Sequence, residues 1–283
     1  GQAPARQAAF KGGLPQGTGA VTLSKMCGSG MKAAMLAHDM LLAGTHDVMV
    51  AGGMESMTNA PYLLQKGRGG YRMGHDRIFD HMMLDGLEDA YEPGRSMGTF
   101  GEDCAAKYHF SREAQDKFAI ASVQRAKVAT ESGAFKAEIT PVTVKSRAGE
   151  TVVAIDEGPG RVKLDKIPTL KPAFKKDGTI TAASSSSIND GAAAMVLMSA
   201  ATAARLGAKP LARIVGHTTH AQAPEWFSTA PVGATQKLLA KTGWGARDVD
   251  LWEINEAFAV VPMALMTELS IPHEIVNVNG GAC

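Results

Sequence analysis

The sequence predicts an α/β fold in which helices pack against strands. Between residues 21 and 51, a short apolar strand (21–23), an amphipathic helix (29–43) and a buried strand (47–51) follow one another. Such strand–helix–strand alternation is typical of layered α/β domains. The chain has 283 residues, of which 45% are hydrophobic and 20% charged, so it is long enough to bury a sizeable core in one large or two ordinary domains.

Apolar spacing, capping residues and chain-breaking residues predict the other elements. Helices with a capping serine or a stopping glycine are expected at 3–10, 112–132, 200–206 and 231–242. Strands are expected at 137–156 (an exposed pair), 191–198 (a central strand), 211–217, 251–254 and 275–279. Gly52 and Gly53 are expected to end the strand that precedes them, and Pro262 to kink the last helix. Residues 157–178 read as loop.

Composition and charge argue against several classes of protein. The formal net charge of +1 gives no reason to expect nucleic acid or a membrane surface as a partner. No apolar run approaches the roughly 20 residues of a membrane span, and the start of the sequence has no signal pattern. Three widely spaced cysteines do not form a disulfide framework and fit a reducing compartment. The sequence therefore predicts a cytoplasmic protein.

Cys27 is the candidate nucleophile in this sequence. It lies between the first strand and the first amphipathic helix, and Gly28 and Gly30 flank the helix start. The N–H groups and the positive dipole end of a helix stabilise a thiolate, which is the form of cysteine that attacks carbonyl carbons. The same N–H groups can stabilise an oxyanion, and glycines leave room for a substrate. The alternative is a free cysteine buried as a small hydrophobic residue.

Several stretches of the chain resemble one family in the same order along the sequence. They are SKMCGSGMKAA with VMVAGGMESMTNAPY near the start, SMGTFGED (96–103), TAASSSSINDGAAA (181–194) and EINEAFAV (253–260). The likeness runs from GQAPARQA at residues 1–8 to NVNGGA at 277–282. On these motifs the chain resembles the thiolases, the acetyl-CoA acetyltransferase family.

The resemblance implies a thiolase fold, with two similar α/β halves in a layered αβαβα arrangement and an inserted loop domain. The implied division assigns the first part of the N-terminal half to 1–58, the inserted loop domain to 59–186, the return to the N-terminal half to 187–209 and the C-terminal half to 210–283. Against the family pattern, we expect the chain to lack the N-terminal start and the C-terminal segment with the catalytic histidine and second cysteine. Cys283 is not expected to be that cysteine. The C-terminal half is then incomplete, and the chain as written would acylate slowly without turnover.

The activity implied by the resemblance is acyl transfer through an acyl-cysteine, namely thiolytic cleavage and Claisen condensation of acetyl-CoA and acetoacetyl-CoA. Cys27 matches the family's acyl-accepting nucleophile. Asn255 matches the asparagine that positions a catalytic water at the thioester carbonyl, and capping of the following helix is its structural alternative. The implied catalytic residues are therefore Cys27 and Asn255.

Four residues match positions around the substrate in the family, namely Met97, Ser186, Ser187 and Glu256. Met97 aligns beside the acyl pocket, with plain packing as the alternative. Ser186 and Ser187 lie in the region that contacts pantetheine, but this chain reads Ala-Ser-Ser-Ser-Ser at 183–187 where many members read Gly-Asn-Ala-Ser-Gly. Ser96 replaces a histidine found in many members. The alternative for Glu256 is that it holds neighbouring backbone or histidine groups in place.

No cofactor is expected beyond the coenzyme A thioesters that serve as substrates, and none of the eight histidines has the spacing of a metal site. The stretch at 71–87 resembles the loop that joins dimers into tetramers in the acetoacetyl-CoA thiolases, which predicts a homotetramer. Two other classes of function stay open at this point. One is a catalytically incomplete, CoA-binding or assembly protein, and the other is a condensing enzyme that uses an acyl carrier protein. The Asn-Glu-Ala-Phe motif argues against the second.

Overall fold

The computed structural model describes residues 1–147 and 149–283. These residues form two compact units, each built from two stretches of the chain. The first unit comprises Gly1–Met82 and Asn189–Val215, and the second comprises Met83–Ile188 and Gly216–Cys283. Within the described residues, no helix combines the length and the apolar content that crossing a membrane requires. The predicted four-part domain division stays a prediction.

Helices and strands both occur along the length of the described chain, often in pairs of the same kind. The α-helices are α1 (Pro4–Lys11), α2 (Ser29–Leu42), α3 (Met97–Tyr108), α4 (Arg112–Ser132), α5 (Gly158–Arg161), α6 (Ala200–Leu206), α7 (Ala230–Thr242) and α8 (Val260–Leu269). The strands are β1 (Val48–Ser56), β2 (Tyr62–Leu63), β3 (Phe79–Asp80), β4 (Val142–Ser146), β5 (Gly149–Val153) and β6 (Asp190–Met198). Single 3₁₀ turns include Leu164–Thr169, Pro224–Thr229 and His273–Ile275.

The first unit is built on an antiparallel pair of long strands covered by a helix. β1 pairs with β6 from Val48 opposite Met198 to Ser56 opposite Asp190. α2 packs on one face of this pair, and Ala37, Ala51 and Leu197 form the buried contact. The apolar spacing that predicted α2 thus corresponds to the face it buries. Within the described residues β6 has β1 as its strand partner, so it is not the central strand that was predicted.

The glycine pair in β1 continues the strand, so the prediction that it ends there is wrong. A Cβ at Gly52 would lie 2.3 Å from the carbonyl oxygen of Ala193 on β6. A Cβ at Gly53 would lie 3.2 Å from the Cα of Gly30 in the first turn of α2. At Gly52 the neighbouring backbone approaches too closely for a side chain, and at Gly53 an added side chain would be tight against α2. Close backbone approach is a second use of glycine in strands.

The second unit packs α3, α4 and α8 around an apolar core. Cys104 of α3 lies in this core with Ile180 and Phe258. α4 is capped as predicted: the Ser111 side chain accepts a hydrogen bond from the Ala114 N–H, and Gly133 ends the helix at φ 71°. β4 and β5 form the predicted exposed pair.

Four of the short predicted strands do not form, namely 21–23, 211–217, 251–254 and 275–279. Apolar composition alone does not make a strand, because a strand also needs a neighbour that accepts its hydrogen bonds. Within the described residues, the last two segments meet in a single bridge between Trp252 and Val276. Asn277 then takes φ 46°, a left-handed conformation that ends the extended chain. The 157–178 loop also contains α5 and a 3₁₀ turn.

α8 runs without interruption through Pro262, where a kink was expected. The helix begins at Val260, so the proline lies in its first turn. The backbone N–H groups of a first turn have no partner within the helix, so a proline there removes no helical hydrogen bond.

The close approach of β1 to β6 predicts how a substitution at Gly52 changes the free energy of unfolding. We expect Gly52→Ala to lower the free energy of unfolding by about 1–3 kcal/mol, because the added methyl group forces the two backbones apart. The matched control is Gly191→Ala on β6, where an added Cβ meets no atom within 4 Å. Urea unfolding of both variants measures the difference. Equal stabilities for the two variants would contradict this account of the strand pair.

Candidate active site

Cys27 is an exposed thiol in a tight turn directly before α2. Met26 takes φ 50°, a conformation that is uncommon for a residue with a side chain. Two hydrogen bonds of Ser29 close the turn: its Oγ accepts from the Lys25 backbone N–H at 2.8 Å and donates to the Met26 carbonyl at 2.7 Å. The thiol is therefore presented to solvent by a hydrogen-bonded turn, and the alternative of a buried cysteine is wrong.

The surroundings of Cys27 suit a nucleophile. Gly28 is the N-cap of α2, so the thiol lies beside the N–H groups and the positive dipole end of a 14-residue helix. The helix start is held against β1 by the close approach of Gly30 to Gly53. Backbone dipoles fixed in this way favour negative charge on a sulfur, or on a carbonyl oxygen that the sulfur attacks.

Asn255 is exposed on an extended segment of the second unit. Helix α8 starts five residues later with Ala259 as its N-cap and no side-chain cap, so the capping alternative for Asn255 is wrong. Its side-chain amide makes no hydrogen bond to any residue that the structure describes. The backbone before it is held on both sides, because the Asn277 side chain bonds both the N–H (2.8 Å) and the carbonyl (2.9 Å) of Ile254.

Glu256 lies at the centre of a buried hydrogen-bond network. Its side chain is among the largest that are fully buried, at 1% exposure. The carboxylate accepts from the Ser122 hydroxyl at 2.7 Å, the Asn277 amide at 2.7 Å and the Cys283 backbone N–H at 2.9 Å. This is the alternative role foreseen for Glu256, in which it holds neighbouring backbone. A direct contact between Glu256 and substrate stays a prediction.

The other predicted substrate residues gather around the segment after Glu256. The Ser186 backbone N–H donates to the Ala257 carbonyl at 3.1 Å, and the preceding serine forms a bridge with Phe258. Met97 begins α3 and packs against the core cluster that contains Phe258. Ser187 follows in the same exposed stretch, and its N–H donates to the Ala282 carbonyl at 3.2 Å. The second unit thus brings Met97, Ser186, Ser187 and Glu256 to one region.

Two of the three cysteines are buried or partly buried in surroundings that disfavour a thiolate. Burial raises the pKa of the Cys104 thiol. Burial and then the neighbouring Glu256 carboxylate raise the pKa of the Cys283 thiol well above its usual value. Both thiols are therefore held in their neutral form, and Cys27 is the exposed cysteine of the chain.

Three supporting residues were not identified from the sequence, namely Glu102, Ser122 and Asn277. The buried Glu102 carboxylate accepts from the backbone N–H groups of Thr179 and Ile180, both at 2.9 Å, and so anchors the approach to the serine stretch. Ser122 and Asn277 are the partners of Glu256. Their contacts join residues 21 to 134 positions apart, which no local pattern reveals.

Comparison with known proteins agrees with the order of the motifs. Residues 1–201 match the family description "Thiolase, N-terminal domain", and residues 208–283 match "Thiolase, C-terminal domain". A probable acetyl-CoA acetyltransferase of Dictyostelium discoideum is 49% identical over 283 residues, which is the whole chain and 68% of that protein. Acetyl-CoA acetyltransferase 2 of Arabidopsis thaliana is 49% identical over 285 residues, covering all of the chain and 70% of that protein.

A solved structure shares the fold. It is the Acat5 thiolase from Ascaris suum in complex with coenzyme A, which superposes with a TM-score of 0.93 at 39% identity and covers 100% of this chain and 72% of that one. The predicted α/β thiolase fold is thereby confirmed. The two family domains together span nearly the whole chain, the fold matches a solved thiolase, and curated relatives are almost half identical. The chain therefore belongs to the thiolase family.

Proposed function

We propose that the protein is an acetyl-CoA acetyltransferase that works through an acyl-cysteine on Cys27. The names of its relatives favour this enzyme with turnover over the slow acylation without turnover that the sequence motifs led us to expect. The observation that carries the proposal is an exposed thiol, fixed in a turn at the start of α2, in a chain of the thiolase family. The names of the relatives, acetyl-CoA acetyltransferases, support the substrate class. The complex of the Ascaris suum thiolase with coenzyme A supports a CoA thioester as the ligand.

In the first half-reaction, the Cys27 thiolate attacks the thioester carbonyl of acetyl-CoA or the 3-keto carbonyl of acetoacetyl-CoA. A carbon–sulfur bond to Cys27 forms, and the bond to the leaving thiolate or carbon breaks. From acetyl-CoA the leaving group is coenzyme A, which takes up the proton that the Cys27 thiol lost. From acetoacetyl-CoA it is the enolate of acetyl-CoA, which is protonated at carbon. Helix N–H groups such as those that begin α2 lower the barrier by stabilising the oxyanion.

In the second half-reaction, the acetyl group leaves Cys27. Free coenzyme A accepts it in thiolysis, and the enolate of a second acetyl-CoA accepts it in condensation. Asn255 would act here by holding a water that polarises a thioester carbonyl, a role that its exposed and unbonded amide supports. An amide is suited to this task because it offers both a donor and an acceptor without changing its charge.

Substrate binding is assigned to the region around Ala257 and Phe258. Ser186 and Ser187 would bind amide groups of the pantetheine arm, since small hydroxyl side chains leave a narrow channel open. Met97 would border the acyl group, and Glu256 would shape the segment that carries Asn255. The proposed chemistry needs neither a metal nor a cofactor beyond the CoA thioesters.

The first prediction concerns the nucleophile. Cys27→Ser should abolish the acetyl adduct and lower turnover by roughly 10³-fold or more, because a serine hydroxyl without an activating base is a poor nucleophile. Intact mass after exposure to acetyl-CoA measures the adduct. The control is Cys104→Ala, which removes a buried thiol and should keep the adduct. An acetyl group retained by the Cys27→Ser protein would overturn the assignment.

The second prediction concerns Asn255. Asn255→Ala should lower kcat by about 10²- to 10³-fold, the cost of removing one group that stabilises an oxyanion. The Michaelis constant for acetoacetyl-CoA should change little, because the lost interaction strengthens in the transition state. Steady-state kinetics of acetoacetyl-CoA cleavage measure both constants. A raised Michaelis constant with unchanged kcat would instead make Asn255 a ground-state binding residue.

Assembly and compartment are also part of the proposal. We infer a homotetramer that acts in the cytoplasm. The stretch at 71–87 supports the first inference, because Tyr71, Met73 and Ile78 are exposed apolar side chains of the first unit near the β2–β3 pair. The three free cysteines support a reducing compartment. Sedimentation of the purified protein tests the assembly: Met73→Glu should shift tetramers to smaller species, and a wild-type monomer at micromolar concentration would contradict it.

A further inference from the structure

The strongest unexplained feature of the second unit is the buried carboxylate of Glu256. At 1% exposure it accepts three hydrogen bonds, and among the described residues it forms no ion pair. We propose that Ser122, Glu256 and Asn277 form a positioning network that holds Asn255 in its catalytic orientation. The inference rests on the proposed function, since it assigns a purpose to the backbone around Asn255.

The network begins on α4. The Ser122 side chain is 2% exposed, and its Oγ accepts the Gly281 backbone N–H at 2.9 Å. The hydroxyl proton of Ser122 donates to Glu256 Oε2 at 2.7 Å, since a carboxylate oxygen accepts and has no proton to offer. The direction of each hydrogen bond is thus determined, from backbone to hydroxyl to carboxylate.

Asn277 carries the network to the residue before Asn255. Its Nδ2 donates to Glu256 Oε1 at 2.7 Å and to the Ile254 carbonyl at 2.9 Å, and its Oδ1 accepts the Ile254 N–H at 2.8 Å. The side chain of Asn277 therefore bonds Ile254 as a neighbouring strand would. With Glu256 held on the other side, both residues that flank Asn255 are anchored.

α4 also braces the segment that contains Asn277. Arg125 lies one helical turn after Ser122, and its guanidinium donates to the carbonyls of Val276 at 2.7 Å and His273 at 3.2 Å. The long helix is thus bonded to this segment at two successive turns. A 21-residue helix is a rigid support, so the bonds transmit its position to the Asn255 backbone.

Burying this hydrogen-bond network costs folding free energy that an apolar core would not. Burying a carboxylate requires that its oxygens be fully bonded, and well-packed apolar side chains would stabilise a core at least as well. The surrounding backbone is also shaped around the carboxylate, because a Cβ at Gly281 would lie 2.1 Å from Glu256 Cδ. A need to place the neighbouring Asn255 precisely explains why the buried carboxylate is kept. Small displacements of a catalytic group lower the rate by large factors.

The test uses Ser122→Ala in the purified protein. The variant should lower kcat for acetoacetyl-CoA cleavage by roughly 10- to 100-fold, with the Michaelis constant within about twofold, as expected for a misplaced catalytic group. In an Asn255→Ala background, the same change should lower kcat by less than about twofold, because its effect passes through Asn255. The matched control is Ser132→Ala on the same helix, whose hydroxyl bonds the Ala129 carbonyl of its own turn.

A second variant and a second readout keep the inference testable if Ser122→Ala folds poorly. Glu256→Gln keeps the side-chain volume but places an amide N–H where a carboxylate oxygen accepted hydrogen bonds. It should show the same loss of kcat as Ser122→Ala. Hydrogen exchange at the Ile254 amide should accelerate in both variants relative to Ser132→Ala. The inference would be overturned, with the proposed function intact, by either of two results. One is unchanged kcat and unchanged hydrogen exchange at Ile254. The other is a loss of kcat from Ser122→Ala that is equally large in the Asn255→Ala background. A wild-type protein that transfers no acetyl group would overturn the proposed function instead.

Discussion

The constraint on which the candidate site depends is the need to satisfy a buried carboxylate without a cation. Glu256 is 1% exposed, and its oxygens accept hydrogen bonds from Ser122, Asn277 and the Cys283 backbone N–H. Each hydrogen bond to a charged group is worth about 1.5–3 kcal/mol, and losing one leaves buried charge uncompensated. The three donors therefore cannot move independently. The hydrogen bonds to Glu256 and Asn277 therefore fix the backbone position of the segment around Asn255.

In the first unit, the corresponding constraint is the distance between backbones. Gly52 lies against the Ala193 carbonyl, and Gly53 lies against Gly30 at the start of α2. The second approach places the backbone of α2 directly against β1, so the helix start beside Cys27 is positioned by backbone contact. The two units thus position their candidate catalytic residues by different interactions. Contact between glycine backbones positions Cys27, and a hydrogen-bonded carboxylate positions Asn255.

How far the sequence predicts this structure depends on the range of the interactions. α4 was predicted well, because its Ser111 cap, its Gly133 stop and its apolar spacing are all local signals. The end of β1 was misjudged because Gly52 is set by a strand 141 residues later, and local rules treat glycine as a breaker. Glu256 was found through its motif, yet its partner Ser122 lies 134 residues away in an ordinary helical stretch. The family and its fold followed from ordered motifs rather than from local physical chemistry.

In the proposed mechanism Cys27 carries the acetyl group during turnover, and the most direct test is whether the acetyl-Cys27 intermediate forms and decays fast enough. The purified protein would be mixed with acetyl-CoA, quenched at successive times, and digested for peptide mass analysis. The account predicts that acetyl appears on the peptide containing Cys27 at least as fast as the enzyme turns over, and that coenzyme A removes it at a comparable rate. Acetyl found on another residue, or on Cys27 but released more slowly than turnover, would contradict the central claim.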